Sequence, residues 1–510
     1  MKPYDLSLMC ILLLALGGGL LILFASPWGI GLSTDSIQYI QAARNLLSGA
    51  GLAMWGEQGY QPLTHFPPLY SLLLASVGSS ISGILSGARG IQAILFAANI
   101  ASVGLIVRMC SPRAHWLGVL AAGVACCALP LLEIHAWAWS EPLFILLSMW
   151  GLFLLYRHLE GASFVWLLGA AGLVALACLM RYAGLAVALA GAICILLLSW
   201  KPWRYRITGC LTFTLLSLLP VSAWLALSAL GGMNSIDRPL ALHPLSLAQV
   251  KTAVVVVTTW LAPMPLPNSI RMWLAITLSG VLCFGAYKLW RRKKNPNDLR
   301  PLAYILIFII SYSLVLGISL SYFDSSTPIN NRILSPVFTA CLFLAACLAG
   351  AVFSPLSNRQ KLVTLLCFFT IIGVHLHQGA AWLSEWRRQG LGYASAAWVH
   401  SEVLGKLRST VPGTPIYSNE PEAIYLYTGQ NVLPLPDRYN PYSLLGNGAF
   451  NTEMQHMGAK MRDNHGILVI FRTNSWRPYQ PTEADILELL PLIPSVSGND
   501  GLIYTWKDGS

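Results

Sequence analysis

Apolar stretches of membrane-crossing length recur along most of the chain, and no other feature constrains its fold as strongly. The first, Leu6–Trp28, contains no charged residue. About 20 apolar residues of helix cross a hydrocarbon core. Runs at 88–107, 114–132, 141–156, 163–179, 183–200, 207–230, 271–290, 302–322, 333–353 and 361–379 repeat the pattern. Only 10% of residues are charged, against about 25% in soluble chains. The expectation is a polytopic α-helical membrane protein. The net charge of +11 does not call for nucleic acid, because Lys and Arg form short clusters between the apolar runs, as the positive-inside bias does. Leu6–Trp28 follows Lys2 and lacks a small-x-small cleavage site, so it reads as a retained first helix.

The Ser- and Gly-rich segment 69–86 decides the topology. If it lies as a re-entrant or interfacial helix, every basic cluster falls on one side. These are Lys2; Arg108 and Arg113; Arg157; Lys201, Arg204 and Arg206; Arg291, Arg292, Lys293, Lys294 and Arg300; and Arg359 and Lys361. That side is the cytoplasm. About eleven crossings follow, in the inner (cell) membrane, with the N-terminus inside and the C-terminus outside. The acids test an assignment made from basic residues alone. Asp35, Glu57, Glu133, Glu141, Asp237 and Asp324 all fall on the outer side, as do the links holding Arg181 and Arg332. Ionisable groups at a membrane are costly and mark function.

The chain divides at about residue 380. Residues 1–380 form the transmembrane part, with a first outer loop at 29–86 and a long outer loop at 231–270 suited to a lid. Residues 381–510 alternate strand-like and helix-like segments, and read as a small extracytoplasmic α/β domain. TPIYS, NVLPLP, GILVIF and GLIYTW are its strands; EPEAIYLYTG, MQHMGAKMRD and EADILELL are its helices. The eleven Cys carry no metal-site spacing, and His375 and His377, at i and i+2 on a helix, point apart. No phosphate-binding loop or dinucleotide fingerprint is present.

The stretch Ser33–Tyr70 holds the chemistry-bearing residues in closest succession. Asp35 is followed by an amphipathic run through Tyr39, Ala43 and Leu46, the turn Gly49-Ala50-Gly51, and His65-Phe66-Pro67-Pro68-Leu69-Tyr70. Elsewhere stand Ser140-Glu141-Pro142, Arg181-Tyr182-Ala183-Gly184 and Asn331-Arg332-Ile333-Leu334-Ser335-Pro336. Each has an ordinary reading: Asp35 as a helix cap or first-turn acid, Ser140-Glu141-Pro142 as a cap with its N1 proline, and the arginines as interfacial snorkelers.

Together these motifs resemble the GT-C superfamily of membrane glycosyltransferases. That superfamily includes protein O-mannosyltransferases, aminoarabinose transferases of lipid A and the RgtA/B/C/D-like group. The family's first loop has the form D-x-x-x-Y-x-x-x-A-x-x-L, a Gly turn, then H/Y-x-P-P-L. The likeness in topology covers roughly 1–380. Ser36 stands where protein O-mannosyltransferases carry Glu, which argues against that subgroup. The resemblance implies transfer of a sugar from a polyprenyl-phosphate donor to a lipid, glycan or protein acceptor outside the cytoplasm, with membrane lipid around the tail. It implies Asp35 as base, with Glu141 as a second acid that positions the acceptor or a catalytic Arg. Arg332 and Arg181 would hold the phosphate, and Tyr39 and His65 would line the site. Arg238 and His243, in the long loop, would contact substrate. No cofactor is implied; a divalent cation is allowed but not indicated. Two other readings stay open: a polymerase or ligase fed by a pyrophosphate-linked donor, and a transporter or flippase for lipid-linked sugar.

Overall fold

The structure is a computed structural model. It describes residues 3–56, 59–111, 114–161, 163–230, 242–261, 266–292, 300–353, 358–408, 413–472 and 476–507. Arg238, Glu57 and Asp237 lie outside the described residues. The order opens with α1 (Pro3–Ala25), α2 (Thr34–Leu47), the hairpin β1 (Ala53–Gly56) and β2 (Gly59–Pro62), α3 (Leu69–Ala75) and α4 (Ile81–Cys110). Then come α5 (Trp116–Cys127), α6 (Leu129–His135), α7 (Glu141–Leu159), α8 (Phe164–Met180), α9 (Gly184–Leu198) and α10 (Trp203–Leu230). The helical part closes with α11 (Leu247–Leu261), α12 (Asn268–Arg292), α13 (Arg300–Tyr322), α14 (Asn331–Phe353) and α15 (Asn358–Gln389).

Among the described residues, six helices are long and apolar enough to cross a membrane, or seven if the bent pair α5 and α6 is one span. The chain is a multi-pass helical membrane protein, but the expected count of eleven is not established. The runs at 163–179 and 183–200 form helices of 17 and 15 residues, short of the about 20 that cross a hydrocarbon core. The run at 114–132 breaks at Ala128, whose backbone is extended, and Pro130 opens the next helix. The two halves meet at 58°.

Segment 69–86 divides in two. The seven-residue α3 is too short to cross. The segment's last residues are the first turns of the 30-residue α4, longer than the expected 88–107. At that end of α4, Arg89 donates to Ser26 Oγ (2.8 Å) and Leu23 O (2.5 Å) at the close of α1. α1 and α4 therefore run antiparallel. They pack closely because Gly18 and Gly19 of α1 face Phe96, Ile100, Ala93 and Ala97 of α4. Leu12, Leu13, Leu16, Leu20 and Phe24 of α1 stay exposed, as lipid-facing residues do. At the opposite end of the bundle Arg300 pairs with Glu160 (3.1 Å) and lies over the Trp200 ring (3.5 Å).

Past α15, two short helices, α16 (Ala396–Val399) and α17 (Glu402–Leu407), lead into β3 (Ile416–Ser418), α18 (Pro421–Thr428) and β4 (Leu433–Pro434). α19 (Phe450–Asp463), β5 (Ile467–Phe471), α20 (Glu483–Leu489), β6 (Leu492–Gly498) and β7 (Gly501–Trp506) complete it. The sheet order is β4-β3-β5-β7-β6, with β3 parallel to β4 and β5, and β7 antiparallel to β5 and β6. β5 is buried on both faces by strand alternation. Leu468 and Ile470 join Met454, Met457 and Met461 of α19, while Val469 and Phe471 face the core shared with Trp398 and the helical bundle. The expected strand NVLPLP shrinks to two residues, because its prolines cannot donate to a ladder.

Candidate active site

α2 starts with a capping box: Ser33 Oγ accepts from Ser36 N–H, and Ser33 N–H donates to Ser36 Oγ (3.1 Å). Ser33 is thus the cap, and Asp35 is left in the first turn free to pair elsewhere. The buried face Ile37, Tyr39, Ile40 and Ala43 seats the helix, and the chain turns out through Gly49 and Gly51, both at positive φ.

Four helix ends converge on Asp35. Arg332, in the first turn of α14, donates from Nη2 to Asp35 Oδ2 (2.6 Å) and from Nε to Glu141 Oε1 (2.5 Å). Arg181, at the end of α8, pairs with the same Glu141 Oε1 (2.7 Å) and donates to Ser140 Oγ (3.0 Å). Tyr39 Oη lies 3.2 Å from Ser140 Oγ. Ser140 therefore does not cap α7; its hydroxyl joins the charged network. The Arg332 guanidinium lies over the Trp139 ring at 4.1 Å, and Trp139 Nε1 donates to Ser33 Oγ (2.7 Å). Glu141 is 2% exposed and Asp35 28%. Glu141 Oε2 is buried without a hydrogen-bond partner among the described residues.

Burial pushes the Asp35 carboxyl up, but the charge and hydrogen bond of Arg332, with His65 and Arg181 behind them, outweigh it and hold its pKa below the ordinary value. Burial, chiefly, drives the Tyr39 hydroxyl far above its usual range. Of the expected residues, Asp35, Tyr39, Glu141, Arg181 and Arg332 meet in one network. His65 is near enough for its charge to reach Asp35, and Tyr442 Oη lies 3.1 Å from its Nδ1. His243 is not seen in that network: its N–H donates to Ser321 O (2.7 Å), and its Nε2 is buried without a partner among the described residues.

The sequence put Glu133 among the outer acids and Asn331 in the Arg332 motif, and gave neither a role of its own. Asn331 Nδ2 donates to Glu133 Oε2 (2.8 Å), and its Oδ1 accepts from Trp260 Nε1 (3.0 Å). Asp324 holds its own loop through Ser326 and Thr327, and His375 bonds Trp260 O (2.9 Å). Among the described residues no three His, Cys, Asp or Glu are grouped to hold a metal ion.

One helical turn from this network an apolar cleft begins. Ile145 lies four residues after Glu141 and Pro336 four after Arg332, and both line it. It continues between α7, α13 and α14 past Met149, Phe153, Phe308 and Phe343, with a cavity of about 110 Å³.

The fold and the site define a polytopic helical membrane protein, and its fold is that of two solved membrane proteins. ArnT from Cupriavidus metallidurans bound to undecaprenyl phosphate is similar over 96% of this chain and 97% of its own, with a TM-score of 0.57 and 13% identity. Its apo form gives 0.54, at 12% identity and 95% of each chain. The arabinofuranosyltransferase AftD from Mycobacteria gives 0.56 at 15% identity, over 98% of this chain and 40% of AftD. No family model and no curated protein sequence matches the chain.

Proposed function

We propose that the chain is a glycosyltransferase that moves a sugar from a polyprenyl-phosphate donor to a lipid, glycan or protein acceptor. It does so on the extracytoplasmic side of the inner membrane, with the N-terminus cytoplasmic and the C-terminal α/β part outside. The observation that carries this reading is Arg332 bridging Asp35 and Glu141 one turn above an apolar cleft. A lipid phosphate needs that combination: a multi-donor cation for the head and an apolar slot for part of the tail. The ArnT relative is bound to undecaprenyl phosphate, which supports the same donor class here.

In this reading Asp35 is a gated base. The pair with Arg332 neutralises Asp35, which makes it a poor proton acceptor. A donor phosphate competes for the Arg332 donors and leaves Asp35 less neutralised. The acceptor hydroxyl or amine then attacks the anomeric carbon from the face opposite the phosphate. Its proton passes to Asp35, the bond from the anomeric carbon to the phosphate oxygen breaks, and polyprenyl phosphate departs on Arg332 and Arg181. The configuration inverts. Glu141, tied to both arginines, holds them in place.

The test is a transfer assay with the full-length chain in lipid nanodiscs, against a panel of sugars linked to polyprenyl phosphate or to polyprenyl pyrophosphate. Wild type should release polyprenyl phosphate from one of them when the matching acceptor is supplied, and Asp35→Asn should not. Equal turnover by Asp35→Asn would remove Asp35 as base. Release only from pyrophosphate-linked donors would favour the polymerase or ligase reading.

A further inference from the structure

The turn 438–447 of the C-terminal part lies between the loop that holds His65 and the link that enters α14. Tyr442 stacks on His65, with ring centroids 5.6 Å apart and planes 28° apart. Its hydroxyl lies 3.1 Å from His65 Nδ1. His65 is also held edge-on by Phe66 (4.4 Å), which packs on Tyr39 (4.5 Å). On its other side the Tyr442 carbonyl accepts from Ser325 N–H (3.1 Å) and Ser325 Oγ (2.7 Å). Ser325 belongs to the link that enters α14, whose first turn holds Arg332.

The root of this turn is fixed as well. Arg438 and Tyr439 N–H both donate to Tyr479 O (2.8 and 3.1 Å). Two residues earlier, Arg477 Nη2 donates to Glu420 (3.1 Å), Glu422 (2.9 Å) and Tyr393 Oη (3.2 Å). Tyr393 N–H donates to Leu32 O (2.8 Å), three residues before Asp35. One network thus grips the Asp35 loop before the acid, at Leu32, and at its far end, at His65.

We infer that Tyr442 is a positioning residue for the transfer site: its ring stacks on His65 and its hydroxyl engages Nδ1, which together fix the orientation of the imidazole beside Asp35. Tyr442 touches no reacting atom and acts through His65. The charge of His65 is felt at Asp35, so a rotated imidazole changes the field at the carboxylate. The purpose assigned to His65 rests on the transferase reading. The contact with Tyr442 does not.

The experiment uses the full-length chain in lipid nanodiscs. Modification of His65 by diethyl pyrocarbonate is followed by peptide mass spectrometry from about pH 5 to 8, where His titrates, in wild type, Tyr442→Phe and Tyr442→Ala. Undecaprenyl phosphate binding is measured on the same samples. Tyr442→Ala should speed His65 modification about fivefold, the scale of one lost hydrogen bond, and move the midpoint of its pH profile. Tyr442→Phe keeps the ring and should keep the shielding, while still moving the midpoint. Undecaprenyl phosphate affinity should stay within about twofold in both, because no contact to Arg332 changes. Wild-type rates and midpoints in both variants would overturn the assignment. A wild-type chain that binds no undecaprenyl phosphate would count against the transferase reading instead, and is read out separately from the His65 result.

Discussion

Arg332 stands between two carboxylates of unequal exposure, and that inequality separates their roles. Glu141 is enclosed and shared by two arginines; Asp35 is partly open and held by one. Removing the charge of Glu141 leaves two cations under-paired in a buried site. Glu141→Gln should therefore destabilise the chain by about 3–5 kcal/mol, measured as a lower melting midpoint in detergent. Asp35→Asn should cost little stability, because the pair is partly exposed, yet should lower transfer at least about 100-fold. Arg332→Lys keeps the charge but loses the fork that spans both acids. Undecaprenyl phosphate affinity should fall about tenfold, the scale of one lost charge-assisted hydrogen bond; unchanged affinity would remove Arg332 from the phosphate site. Asp35, Glu141, Arg181 and Arg332 were legible in the sequence because each stands at the end of an apolar run, on one side of the charge map. The role of Ser140 was not. Ser-Glu-Pro is a common helix start, and only the approach of Tyr39 and Arg181 diverts its hydroxyl.

At the scale of elements, the Asp35 loop is held as the middle strand of a small clamp. Gly31 N–H donates to Ala136 O (2.8 Å), Ala138 N–H to Gly31 O (2.9 Å), and Leu32 pairs with Gly392. One flank leads to Trp139, Ser140 and Glu141; the other belongs to the C-terminal part. Gly392 has φ +56, and a Cβ there would press on Leu32 O and the Trp137 ring. Gly392→Ala should cost at least about 1–2 kcal/mol from the left-handed backbone alone. It should also speed amide exchange at Leu32 and Tyr393, and exchange as slow as wild type would show that the clamp does not need glycine. This clamp was invisible in the sequence, since isolated bridges between residues this distant leave no periodic pattern. The hairpin β1–β2 and strand β6 were missed for a related reason. β6 contains Pro494 and an irregular register at an edge, so LIPSVSG reads locally as a loop. The continuous apolar run GILVIF and the helical period of MQHMGAKMRD formed the expected strand and helix.

At the scale of the whole molecule, apolar length showed the class of protein but not the number of crossings, since α8 and α9 are apolar and short. Charge patterning put Arg300 on one side and Asp35, Glu141, Arg181 and Arg332 on the other. In the fold Arg300 meets Glu160 and Trp200, while the other four residues join in a separate network. The C-terminal part adds a pH response of its own. Burial, only partly offset by Arg477 and reinforced by Glu453, raises the Asp437 carboxyl to about 7. A raised carboxylate pKa means the folded chain binds the proton more tightly. Stability therefore falls as pH rises from the unfolded value of about 4 to about 7 and is level above that. Asp437→Asn should raise the melting midpoint at pH 8, by the equivalent of about 1–2 kcal/mol after screening, and change it little at pH 4. An equal gain at both would assign the effect to packing. The proposed reaction turns on a lipid phosphate taking Arg332 from Asp35. A cryo-EM map of the full-length chain with undecaprenyl phosphate in nanodiscs measures this directly. The phosphate should lie on Arg332, with the isoprenoid entering between Ile145 and Pro336 and the Arg332–Asp35 pair opened. A phosphate bound elsewhere, with that pair still closed, would contradict it.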